Sequence, residues 1–188
     1  MNASIIPLPL QHAALPSWSL RHHRLPNSIP TPWRSWLLDR GSLTARLIHA
    51  APGRFRVHVI RECHTRPSPL EQRMLGLSDA QRVWVRDVVL YVDQHAVVIA
   101  RTAIPDTTLR GADVRLKHLG NRSLGSYLFK QPSLQRTPLR ASFDKTRREY
   151  PWGRYSVFRV HGKPLMVSEW FNVAIMQLTH STTAMKQA

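Results

Sequence analysis

Two pairs of β-prone runs, each joined by two or three residues, constrain this chain more than any other feature. Residues 82–93 (RVWVRDVVLYVD) and 96–104 (AVVIARTAI) are separated by Gln94 and His95. Residues 154–161 (RYSVFRVH) and 165–171 (LMVSEWF) are separated by Gly162, Lys163 and Pro164. A parallel pair needs a crossover of a dozen residues or so, and joins this short force antiparallel hairpins. A further run, 54–61 (RFRVHVIR), alternates Phe55, Val57 and Val59 with Arg54, Arg56 and His58, the pattern of a half-buried strand. Strand–helix–strand alternation is absent. The expected fold class is α+β: a single antiparallel sheet of about six strands flanked by short helices.

The helical signals are short. Trp36, Leu37 and Leu38, then Leu43, Leu47 and Ile48, read as two small helices broken at Gly41, with Ser42 placed to cap the second. Such a pair can act as a flap. Residues 120–123 (GNRS) read as a turn into a short helix over 124–130, capped by Ser123. Residues 70–77 read as a brief helix or loop, 106–119 as mixed, and 131–152 as polar, proline-containing connection. Residues 1–32 carry prolines from Pro7 to Pro32 and no acid, and read as a flexible N-terminal extension. The domain is expected over 33–175, followed by a polar tail at 176–188.

Charge narrows the partners. Lys and Arg number 27 against 11 Asp and Glu, a formal charge of +16. That surplus attracts nucleic acid, membrane headgroups or small acidic metabolites. The basic residues are scattered rather than gathered in a stripe, and no nucleic-acid-binding motif is present, so no specific nucleic-acid partner is expected. No apolar run reaches the length of a membrane span, and the N-terminus lacks the order of a signal peptide. The expected location is cytoplasmic. The single cysteine, Cys63, excludes an internal disulfide; with only His58 and His64 close by in sequence it argues against zinc. Walker, GxGxxG, HExxH and GxSxG motifs are absent, so chemistry without metal or bound cofactor is expected.

Period-2 alternation marks two residues as out of place. Arg86 shares a strand face with Trp84, Val88, Leu90 and Val92; Glu169 shares one with Leu165, Val167 and Phe171. A charge among apolar neighbours is costly unless it is paired or meets a charged ligand. Either residue could form a structural ion pair, Glu169 with Arg86 itself or with Arg101. Alternatively both line one cavity, where Arg86 would grip a carboxylate and Glu169 would meet a hydroxyl or accept a proton. Asp87 falls on the opposite face.

Five segments taken in order resemble the bacterial chorismate lyase family: WLLDRGSLTARL (36–47), VWVRDVVLYVD (83–93), ARTAIPDTTL (100–109), LGNRSLGSYLF (119–129) and WGRYSVFRVHGKPLMVSEWF (152–171). The resemblance covers roughly residues 33–172. It implies a six-stranded antiparallel sheet, a monomer, and a ligand cavity beneath helix-turn-helix flaps. It implies removal of pyruvate from chorismate to leave 4-hydroxybenzoate, the first committed step of ubiquinone synthesis. Carried over position by position, the family's ligand-contacting arginine falls on Arg86 and its glutamate on Glu169, the two expected catalytic residues. A backbone contact falls on Leu124, and a fourth contact, often methionine, falls on Leu43. The same fold also serves as a non-catalytic effector-binding domain in transcription regulators. Residues 1–31 are too short and too proline-rich to supply their DNA-binding domain.

Overall fold

The computed structural model describes residues 23–178 except Leu25. The strands are β1 (His23–Arg24), β2 (Phe55–Thr65), β3 (Val83–Val92), β4 (His95–Pro105), β5 (Gln135–Arg136), β6 (Arg140–Phe143), β7 (Trp152–Val160) and β8 (Lys163–Phe171). The α-helices are α1 (Thr31–Leu37), α2 (Leu43–Ala50), α3 (Pro69–Leu75) and α4 (Leu124–Leu128), and a 3₁₀ helix spans Gly111–His118. One antiparallel sheet runs β1-β6-β7-β8-β4-β3-β2, with β5 also paired to β7. The α+β class is as expected, with a few more strands. β5 and β6 arise in the polar stretch 131–152, and strands of two and four residues are too short to display alternation.

Helix ends follow local chemistry. Ser42 Oγ accepts the Ala45 N–H at 3.2 Å at the start of α2, and Ser123 Oγ accepts the Ser126 N–H at 3.2 Å at the start of α4. Ser68 and Glu71 form a reciprocal capping box on α3, which ends at left-handed Gly76.

Both hairpin loops sit earlier than the composition suggested. They are Asp93-Gln94 and His161-Gly162. Asp93 (φ 54°), His161 (φ 50°) and Gly162 (φ 76°) adopt the left-handed conformation that tight hairpins require. The consequence is register: Val160 pairs Lys163, and therefore Arg154 pairs Glu169. A bulge between Val59 and Arg61 reverses the facing of β2. Past it, Glu62 stands opposite Arg86 and Arg61 opposite Asp87.

Each sheet face carries two apolar clusters with a polar band between them. On one face, Trp36, Leu37, Leu43 and Leu47 of α1 and α2 pack on Val88, Leu90, Ala100 and Phe171. Farther along the same face, Leu116, Leu119 and Leu128 pack on Trp84, Ile104, Phe158 and Leu165. On the other face, Leu70 and Leu75 of α3 cover Val83, Val85 and Met166, and Tyr150 packs with Val89, Tyr91 and Trp170. The polar band there is Asp87, Arg101 and Glu71. Burial pushes the Asp87 carboxyl above its ordinary range, against the opposing pull of Arg101 and Arg61.

Packing reaches past both expected domain boundaries. His23–Arg24 pairs with β6, Ile29 is buried in the core, and Met176 and Leu178 lean on the same cluster. The remainder of the expected extension and tail, 1–22 and 179–188, lies outside the described residues. None of the described helices is long and apolar enough to cross a membrane.

Leu47 is fully buried where α2 meets the sheet. Leu47→Ala should lower the unfolding free energy by about 2–5 kcal/mol with an unchanged denaturant slope. A urea titration showing a loss below about 1 kcal/mol would mean that α2 is not firmly docked.

Candidate active site

Between the two apolar clusters on the helix-covered face lies a cavity of about 600 Å³, its mouth included. Its floor is the sheet: Arg86, Val88 and Leu90 of β3, Ala100 and Thr102 of β4, Val167 and Glu169 of β8, and Arg154 and Phe158 of β7. Leu43 and Thr44 of α2 and Ser123, Leu124, Gly125 and Leu128 of α4 roof it, and Arg136 of β5 also lines it. All four residues singled out from sequence, Leu43, Arg86, Leu124 and Glu169, line this one cavity.

The roof is a close approach of two capped helix starts. Thr44 Oγ1 and Ser123 Oγ share a hydrogen bond of 2.7 Å. A Cβ on Gly125 would lie 3.2 Å from both Ser42 Oγ and Thr44 Oγ1, so a larger residue here would press on both hydroxyls. The Ser123 cap takes the Ser126 N–H and leaves the Leu124 amide facing no protein acceptor among the described residues.

Arg86 is almost completely buried, with its side chain 3% exposed. Its Nη1 pairs with Glu62, and its Nη2 donates to the carbonyls of Gly120 and Arg122. Three of the five guanidinium N–H groups are thus bound to protein, and two remain for a ligand. Arg86 is accordingly both ion-paired and cavity-lining.

Glu169 pairs with neither Arg86 nor Arg101. Its Oε2 accepts from Arg154 Nε at 2.6 Å. Arg154 is 1% exposed and also donates from Nη1 to the carbonyls of Trp36 at 2.7 Å and Asp39 at 2.8 Å. One guanidinium therefore joins β7, β8 and the α1–α2 flap. Arg46 of α2 stacks 3.6 Å over the Trp36 ring and pairs with Asp39 at 3.3 Å, tightening the same flap. Arg101 lies on the opposite face, bonded to Glu71 at 2.6 Å, and takes no part in the cavity.

Arg136 and Arg154 were not singled out from sequence. Arg154 had a signal: a two-residue loop at His161-Gly162 forces the pairing with Glu169. Placing the turn over 162–164 concealed it. Arg136 had none, since β5 is two residues long. Burial, with the Arg154 charge second, lowers the Arg136 pKa to about 10, so its guanidinium stays charged at neutral pH. The cavity thus holds three arginines and one glutamate. Such a site favours anions.

The sequence model of the family described as "Chorismate lyase" matches residues 20–179. The chain belongs to the chorismate lyase family. A probable chorismate pyruvate-lyase of Methylococcus capsulatus is 38% identical over 159 residues, covering 78% of this chain and 98% of that protein. A probable chorismate pyruvate-lyase of Azoarcus sp. (strain BH72) is 37% identical over 188 residues, covering 90% and 97%. A chorismate pyruvate-lyase of Serratia proteamaculans is 37% identical over 142 residues, covering 76% and 79%. The crystal structure of PhnF from Mycobacterium smegmatis shares the fold, with TM-score 0.53 and 14% identity over 73% of this chain and 66% of that one. This chorismate lyase family member is therefore an α+β protein of a lyase family.

Removing one partner of the Arg154–Glu169 pair strands a buried charge. Arg154→Met should cost about 3–5 kcal/mol of stability, and adding Glu169→Leu should restore part of the loss. Strictly additive losses in chemical denaturation would show that the two residues do not depend on each other.

Proposed function

We propose that this protein is a chorismate pyruvate-lyase that converts chorismate into 4-hydroxybenzoate and pyruvate, the entry to ubiquinone synthesis that the family resemblance implies. The observation that carries the reading is that Arg86 and Glu169 line one roofed but open-mouthed cavity of a chorismate lyase family member.

The reaction is an elimination within one molecule. The bond between the ring and the enolpyruvyl ether oxygen breaks, and that oxygen becomes the ketone of pyruvate. The hydrogen on the hydroxyl-bearing ring carbon passes to the enolpyruvyl methylene, which becomes the methyl group. The C–H electrons close the aromatic ring, and every atom of chorismate appears in one of the two products. Aromatisation supplies the driving force, so the protein contributes orientation and charge placement.

The ring carboxylate would lie against the two remaining N–H groups of Arg86 and the Leu124 amide. The fixed contacts of Arg86 to Glu62, Gly120 and Arg122 hold the guanidinium in place beforehand. Glu169 Oε1, which has no partner among the described residues, would accept a hydrogen bond from the ring hydroxyl, while Oε2 stays with Arg154. Leu43 would close the flap side over the ring as an apolar contact.

Purified protein mixed with chorismate should release 4-hydroxybenzoate and pyruvate in equal amounts, followed by chromatography and a coupled pyruvate assay. Arg86→Ala should lower kcat/KM about 10- to 100-fold, the loss expected for a charge-assisted contact. Glu169→Gln, which keeps an oxygen acceptor for Arg154, should depress kcat, measured on protein shown to be folded. No product from folded protein would overturn the reading in favour of a small-carboxylate-binding protein.

Because the cavity is roofed, product should leave slowly. Added 4-hydroxybenzoate should inhibit competitively, and progress curves should bend before substrate is exhausted. Linear curves would contradict slow release of product from beneath the roof.

A further inference from the structure

We propose that Arg136 binds the second carboxylate of the substrate, the one on the enolpyruvyl group that leaves as pyruvate. This assignment rests on the lyase reading above and names the part of the site that separates substrate from aromatic product.

Charge compensation is the first ground. Arg86 is neutralised by Glu62, and Arg154 by Glu169. Among the described residues, no carboxylate stands within 4.0 Å of Arg136. Its hydrogen bonds go to neutral acceptors: Nε to Ser156 Oγ at 2.9 Å, and Nη1 to the carbonyls of Arg40 at 3.0 Å and Gly41 at 3.4 Å. These bonds aim the guanidinium and leave Nη2 without a protein acceptor among the described residues. The Phe158 ring lies 4.6 Å from Cζ and shields one side of the group. A positioned, half-buried cation that lines a cavity with no carboxylate in contact, Glu169 and Asp39 acting on it only from longer range, is a site for an anion.

Position is the second ground. Arg86, Thr102, Val167 and Ser156 form one cross-strand row from β3 to β7. Three strand spacings make that row about 14 Å long between backbones. Arg86 reaches inward from one end, and Arg136 is tethered to Ser156 at the other. Between them the floor is Thr102 and Val167. Glu169 stands two residues along β8 from Val167, beside the Arg136 end. With the ring carboxylate on Arg86 and the ring hydroxyl on Glu169, the ring lies over this neutral floor. In chorismate the enolpyruvyl ether is attached to the carbon next to the hydroxyl-bearing one. Its carboxylate is then carried near the Glu169 end of the floor, and the ring face that turns it toward β7 brings it to Arg136. After the C–O bond breaks, 4-hydroxybenzoate keeps only the carboxylate at Arg86, and the charge at Arg136 departs with pyruvate.

The test compares a dianion with a monoanion in Arg136→Met. Calorimetry measures the Kd of 4-hydroxybenzoate and of 3-(carboxymethoxy)-4-hydroxybenzoate, a stable mimic bearing both carboxylates; steady-state assays measure chorismate turnover. The expected result is a rise in KM and a fall in kcat/KM of about 10- to 100-fold, matched by the loss in dianion affinity. Affinity for 4-hydroxybenzoate stays at the wild-type value. Arg136→Lys, which keeps the charge without the fork, recovers part of the dianion affinity and carries the comparison if the methionine variant does not fold. Equal weakening of both ligands, or no change for either, would overturn the assignment. Should the wild-type protein leave chorismate unchanged while still preferring the dianion through Arg136, the lyase reading fails and the second-carboxylate site stands.

Discussion

A guanidinium sealed from water needs partners within the protein, and Arg154 finds three of them by joining three parts of the molecule. Its Nε holds Glu169 across the β7–β8 hairpin, and its Nη1 holds two carbonyls of the α1–α2 flap. A buried arginine paired in this way adds little net stability over an apolar pair, but separating it from its partner is expensive. The contact thereby couples flap closure to the orientation of Glu169. A flap that lifted away would deprive Arg154 of two acceptors and loosen the carboxylate below it.

The sheet is built to carry that arrangement. Its two faces each hold two apolar clusters divided by charges, and the charges on each face have different uses. On the α3 side, Asp87, Arg101, Arg61 and Glu71 satisfy one another. On the flap side, the charges border a cavity, and cations outnumber the anion. The bulge in β2 contributes to both, because it turns Arg61 toward Asp87 and Glu62 toward Arg86. A regular β2 would exchange those two residues between faces, leaving Arg86 without its carboxylate and Asp87 with Arg101 alone.

Charge balance then explains how the site discriminates. Arg86 and Arg154 already have carboxylate partners, and Arg136 has none among the described residues. On the assignment proposed above, a ligand with one carboxylate held at Arg86 leaves Arg136 without an anion, whereas a dianion reaches both ends of the floor. If Arg136 holds the second carboxylate as proposed, the cavity would separate substrate from product by charge number, using groups that hold fixed positions before the ligand arrives.

Much of this was legible in the sequence. Alternation with period 2 placed Arg86 and Glu169 on apolar strand faces, put Asp87 on the opposite face, and set the hairpins as antiparallel. Gly41, Ser42 and Ser123 marked the helix breaks and caps. These properties are local, arising from neighbours a few residues away. What the tertiary structure alone decided was pairing across distance. Glu62 reaches Arg86 only through a bulge, and Arg154 reaches Glu169 only through a turn one residue away from where composition placed it. Arg136 enters the cavity from a strand of two residues. A shift of a single residue in register moves every side chain to the other face, and that shift is set by backbone geometry at the turn or bulge. Local pattern thus marked Arg86 and Glu169 as charges on apolar faces, and the folded sheet decided that Arg154 and Arg136 join them and which of these groups meet.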